Sequence, residues 1–130
     1  MKKVLVLLLL MVVSTSVFAE WTRVGSSNDG DMTIYVDYEK IKKKGNKVKI
    51  WVLMDYKTIQ KLGNISHLSD VGLEECDCEE GTKQTIGYYQ YAGNMGSGDV
   101  AYSNTSKSES IPIPPDSVSE IFFNIACSNK

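Results

Sequence analysis

The sequence has one histidine, His67, no C-x-x-C pair and no acidic loop of calcium-binding spacing. A protein zinc site needs three or four good ligands. Cys76, Cys78, Cys127 and His67 are the only soft candidates, and C-x-C is not a zinc-knuckle spacing. The acids around the pair, in "GLEECDCEEGTK", would raise thiol pKa values and disfavour the thiolate. No serine stands in a nucleophile elbow, and the glycines of "GNMGSGD" lack the Lys-Ser/Thr that completes a phosphate loop. No metal, no cofactor and no catalytic residue is therefore expected, and the chain does not read as an enzyme. Excess positive charge is also missing, at 14 basic against 16 acidic side chains, which speaks against a general nucleic-acid binder.

Long apolar runs are scarce as well. The one that exists opens the chain, in "MKKVLVLLLLMVVSTSVFAEW". Lys2 and Lys3 precede ten apolar residues, Val4 to Val13, which is short of the roughly 20 needed to span a bilayer. Val17-Phe18-Ala19 then resembles a signal-peptidase site. Residues 1–19 are expected to be a secretory signal peptide and residues 20–130 a single mature domain. Lys2 and Lys3 would leave with the signal, so the mature net charge is −4. The expected location is exported, in the periplasm or at the cell surface, with no transmembrane anchor after cleavage. Disulfides persist there.

The mature chain is rich in period-two patterning. Trp21–Val24 and Met32–Val36 flank the turn Asn28-Asp29-Gly30-Asp31. Residues 37–44 are expected to form a short turn or helix. In "NKVKIWVLMDYKTI", Val48, Ile50, Val52, Met54 and Tyr56 share one face, and Lys47, Lys49, Trp51, Leu53 and Asp55 the other. Residues 59–68 read as loop, and Asp70–Cys78 as a weaker strand. In "TKQTIGYYQYAG", Thr85, Gly87, Tyr89 and Tyr91 oppose Ile86, Tyr88 and Gln90. Asp99–Ser103 closes a hairpin, and residues 103–115 read as extended surface chain.

The one clear helix is "DSVSEIFFNIAC". Ser117 and Glu120 have capping-box spacing, with Asp116 a competing N-cap, and Val118, Ile121, Phe122 and Ile125 form one stripe. About ten residues of helix are marginal alone in water, so the stripe must dock. The expected fold is α+β: one antiparallel sheet of about six strands with a C-terminal helix on one face. Cys76 and Cys78 point the same way on a strand, and either could reach Cys127 at the helix end.

Two surfaces stand out for binding. Six lysines lie between Lys40 and Lys49, with Lys42, Lys43 and Lys44 consecutive. They suit an anionic glycan, a lipid headgroup or an acidic protein segment. They equally suit a solvated hairpin tip that resists strand aggregation. Tyr88, Tyr89, Tyr91 and Tyr102 cluster near the last hairpin, and Tyr89 and Tyr91 are the candidates for an exposed interface, with a foreign partner or in a homodimer. Asn64-Ile65-Ser66 and Asn104-Thr105-Ser106 match the N-glycosylation pattern, which is common by chance.

Taken in order, "WTRV", "IYVDYEKI", "VKIWVLMDYK", "LEECDCEEGTKQTIGYYQYAGNMGSGDV" and "PIPPDSVSEIFFNIAC" resemble the surface-adhesin protein E domain of bacterial envelope proteins. The resemblance covers nearly all of the mature chain. It implies a sheet with a C-terminal helix tied on by a disulfide between Cys78 and Cys127. Relatives usually carry an aromatic or apolar residue where this chain has Cys76. That leaves Cys76 as an unpaired buried thiol, a competitor for Cys127, or a site of intermolecular pairing. The family's namesake binds host matrix and serum proteins such as vitronectin and laminin. The resemblance thus implies a non-enzymatic binding domain with a protein or glycan partner. A periplasmic structural or envelope-maintenance protein is the alternative.

Overall fold

The computed structural model describes residues 20–128, and the expected signal peptide lies outside the described residues. The strands are β1 (Thr22–Ser26), β2 (Met32–Val36), β3 (Lys42–Lys44), β4 (Lys47–Leu62), β5 (Ile65–Asp77), β6 (Thr82–Tyr91), β7 (Val100–Asn104) and β8 (Ile111–Pro112). One helix follows, α1 (Val118–Ser128). The sheet is antiparallel, in the order β1-β2-β4-β5-β6-β7, with short β3 beside β4 and β8 beside β6. The expected α+β architecture is the one observed.

Strand alternation places the core. Val48, Ile50 and Val52 of β4 and Ile34 and Val36 of β2 meet Phe122 and Ala126 of α1 on one face. Val118, Ile121 and Ile125 pack at the margin of that core. At Gly25 an added Cβ would stand 3.1 Å from Ile121 Cδ1, so a side chain there would push the helix off β1. Ser117 is the N-cap: its Oγ accepts from the Glu120 N–H at 3.2 Å and donates to the Pro114 carbonyl at 2.7 Å. Asp116 sits at φ 55°, outside the extended region an N-cap adopts, and so loses the competition. At the other end Cys127 bonds Cys78, with Cα atoms 5.6 Å apart.

Three expectations change. Residues 59–68 are not loop: β4 runs to Leu62 and β5 starts at Ile65, so the two strands form a long hairpin beyond β2. Residues 37–44 split into a single 3-10 turn, Tyr38–Lys40, capped by the Asp37 carboxylate, followed by β3. Thr85 lies on the helix face with Glu74, because the register slips by one residue at Ile86.

The opposite, outer face has its own small cover. Residues 93–97 fold across β4 and β5 above Leu53 and Val71. A Cβ on Gly96 would lie 3.5 Å from Val71 and 3.6 Å from Leu53. Asp55 Oδ1 accepts from Asn94 Nδ2 at 3.0 Å and from the Met95 N–H at 2.8 Å. Ser69 Oγ accepts from the Gly96 N–H and donates to the Gly93 carbonyl. Met95 and Gly96 both take positive φ, which explains the glycine at the tip.

Candidate functional site

The register decides which expected site residues meet. Lys42 lies opposite Lys49, and Lys44 opposite Lys47. These four share the outer face with Trp51, next along β4, because side chains alternate. Lys43 lies opposite Val48 and points to the helix face, where it lines a hollow beside the Cys78–Cys127 bond. Two directly opposed lysine pairs repel one another and cost stability. Glu75 and Asp77, opposite Lys49 and Lys47 on β5, offset part of that, with Lys47 Nζ 3.9 Å from Glu75.

Tyr89 and Tyr91 join the same outer face. Tyr89 pairs with Val71 and Tyr91 with Ser69. The Tyr89 ring leans over Gly87, whose missing side chain leaves the room. The outer face thus gathers Lys42, Lys44, Lys47, Lys49, Trp51, Tyr35, Tyr89 and Tyr91, and it leaves out Lys43. Sequence reading put Trp51 on the face of Lys47 and Lys49 without naming it as a candidate, and it missed Tyr35, because only the pairing Tyr35↔Leu53 brings β2 alongside.

The other two tyrosines lie on the helix side of the sheet, Tyr88 half-buried and Tyr102 exposed. Tyr88 lies on the helix face beside Val118 and Phe122, and its ring meets Tyr102 edge-on at 6.4 Å. Burial pushes the Tyr88 phenol up to about 12. Gln90 donates to the Tyr88 hydroxyl at 3.0 Å. Nearby, Tyr56 donates to Asp70 Oδ2 at 2.9 Å, and Asp70 Oδ1 stands 3.2 Å from His67 Nε2. Burial, then the Asp70 carboxylate, hold the Tyr56 phenol far above its ordinary range. His67 is therefore buried on β5 and not in the expected polar loop. The histidine–carboxylate pair faces a phenol that resists ionisation, an arrangement that offers no activated nucleophile.

Cys76 carries no disulfide and is fully buried against Val48 and the core. Burial first, and the Glu74 carboxylate second, push its thiol up to about 12. A thiol in that state is a poor nucleophile and a poor metal ligand. Among the described residues no three His, Cys, Asp or Glu side chains are grouped to hold a metal ion. Among them, too, no helix is long and apolar enough to cross a membrane.

Comparison with known proteins agrees with this architecture. No curated protein matches the sequence significantly. A solved structure of Haemophilus influenzae protein E superposes with a TM-score of 0.64 at 16% identity, covering 92% of this chain and 95% of that one. Protein E from non-typeable Haemophilus influenzae gives 0.63 at 17% identity, covering 92% and 82%. At such identities the likeness speaks for the fold. The sequence model of the surface-adhesin protein E family matches residues 21–128, nearly all of the described chain. The chain belongs to the surface-adhesin protein E family.

Proposed function

We propose that this protein is an exported, non-enzymatic recognition domain that binds a protein or glycan partner at the bacterial envelope through its outer sheet face. One observation carries the reading: Lys42, Lys44, Tyr89 and Tyr91, picked out separately in the sequence, lie on one sheet face, the one away from α1 and partly covered by the 93–97 segment. Cationic and aromatic side chains sharing one face suit a polar partner with flat or apolar segments. The opposed lysines lower stability, and a binding role is a reason for a sheet to keep them. Family membership in a group of surface adhesins supports the same direction.

Two measurements on the natural protein test this reading. Protease shaving of intact cells should remove it, and the purified domain should bind immobilised laminin or vitronectin above an albumin control. Protein found only in the periplasmic extract, with no binding to either surface, would instead favour a structural role in the envelope.

A further inference from the structure

Resting on that reading, we infer that the partner's recognised part is a linear acidic glycan, laid along the outer face with anionic groups at two cationic stations. The first station is the lysine hairpin, Lys42, Lys44, Lys47 and Lys49. The second is a depression of about 260 Å³ lined by Arg23, Ser26, Gly30, Thr33, Tyr35 and Lys57. Two cations and three hydroxyls converge there with no carboxylate in the lining. Register explains the convergence: Arg23 opposes Tyr35 and Ser26 opposes Thr33. A Cβ built on Gly30, at φ +73°, would meet Lys57 Nζ at 3.7 Å, so the ammonium lies close over the glycine backbone. Among the described residues neither Arg23 nor Lys57 enters an ion pair.

The nearby acids are engaged elsewhere. Asp29 accepts from Ser27 Oγ at 2.7 Å and from the Asp31 N–H at 3.0 Å, with Lys57 only the weakest influence on its lowered pKa. Asp31 accepts from Thr58 Oγ1 at 3.2 Å. Asp55, on the outer face, is taken by Asn94 and Met95. The depression therefore offers positive charge and hydroxyl donors to an anion, the chemistry that holds a sulfate or carboxylate.

The spacing calls for a polymer and not a lone ion. Along β4 the outward positions read Lys49, Trp51, Leu53, Asp55 and Lys57, so Lys49 and Lys57 lie about 26 Å apart, while Arg23, level with Tyr35 and Leu53, stands roughly half that distance along the strand from Lys49. Trp51 lies between the stations and Tyr35 lines the second, two half-buried aromatic side chains of the kind on which sugar rings stack. The 93–97 segment stands above Leu53 and Val71 as a ridge, so the face admits a chain alongside it more readily than a flat bilayer.

The test uses the mature domain, residues 20–130, titrated calorimetrically with heparin-derived octasaccharide (sulfate and carboxylate) and hyaluronan octasaccharide (carboxylate only). Neutral dextran, anionic lipid vesicles and oligo-dT serve as competitors. Binding of at least one acidic octasaccharide is expected, with the hyaluronan arm telling whether carboxylate alone suffices. Arg23→Glu with Lys57→Glu, and separately Lys42→Glu with Lys44→Glu, should each weaken it about tenfold. Each pair should also make the log–log salt dependence shallower, by up to about one per removed cation. Lys43→Glu, on the helix face, and Lys107→Glu, in the exposed connection between β7 and β8, should leave affinity unchanged, and all variants should keep the wild-type melting temperature within a few degrees. An unchanged affinity in the Arg23/Lys57 pair overturns the two-station inference. Equal loss in the Lys43/Lys107 control, or equal binding of vesicles or oligo-dT, shows nonspecific charge attraction and overturns it too. If laminin or vitronectin is bound and neither octasaccharide is, the glycan inference fails alone; if nothing is bound, the recognition reading fails with it.

Discussion

Removing the Cys78–Cys127 bond should cost about 4 kcal/mol, most of what a domain this small has to spare. The figure follows from a closed loop with 49 residues of separation, whose cross-link withdraws chain entropy from the unfolded state. The folded side makes the loss consequential. Helix α1 has 11 residues, one N-cap and a single buried stripe, so it is marginal without its dock. When it lifts, Ile34, Val36, Val48 and Ile50 lose their cover. The assay is equilibrium urea unfolding of the Cys78→Ala/Cys127→Ala variant against wild type without reductant. With an m-value of about 1.5 kcal/mol/M, the midpoint should fall by roughly 2 to 3 M. Amide exchange in residues 118–128 should accelerate before that of β4 and β5. A loss below about 1 kcal/mol, with the helix still protected, would show that burial of Phe122 and Ala126 holds the helix unaided.

Two further outcomes follow from local geometry. Cys76, with a thiol ordinarily near 9 held up to about 12, favours the fold below pH 9; that contribution fades as pH rises toward 12, by about 1.4 kcal/mol at pH 10. Cys76→Ala should remove the larger part of the fall in urea stability between pH 8 and 10, leaving about 0.4 kcal/mol each from Tyr56 and Tyr88 at pH 10, and native Cys76 should resist a thiol reagent at pH 8; rapid labelling would contradict its burial. Asp55→Ala should release residues 93–97, costing about 1–3 kcal/mol and speeding Met95 and Gly96 amide exchange; unchanged protection there would show that Ser69 alone anchors the segment.

The sheet and helix were legible because their residues alternate between a wet and a dry side. Val48, Ile50 and Val52 announce a buried face, and Val118, Ile121, Phe122 and Ile125 announce its cover. The 59–68 hairpin was not legible for the converse reason. Ile59 and Leu62 are exposed, the buried side chain there is the polar His67, and no apolar period survives to be read. Thr85 misled because a one-residue slip at Ile86 inverts the facing of everything before it, and such slips leave no mark in composition. The lysine cluster was visible, yet its division was not: strand parity sends Lys43 away from Lys42 and Lys44. Arg23 and Lys57 are 34 positions apart, and only lateral register sets them around one depression.

The central claim is that recognition belongs to the outer sheet face. Its most direct measurement compares two variants on immobilised laminin and vitronectin, where the wild-type domain should bind at least one. Lys42→Glu/Lys44→Glu/Tyr89→Ser should lose at least about tenfold in affinity, while Lys43→Glu/Lys107→Glu should keep the wild-type value. Equal losses in both, or loss only in the second, would place recognition elsewhere on the molecule; wild type binding neither surface and no acidic octasaccharide would contradict the claim outright.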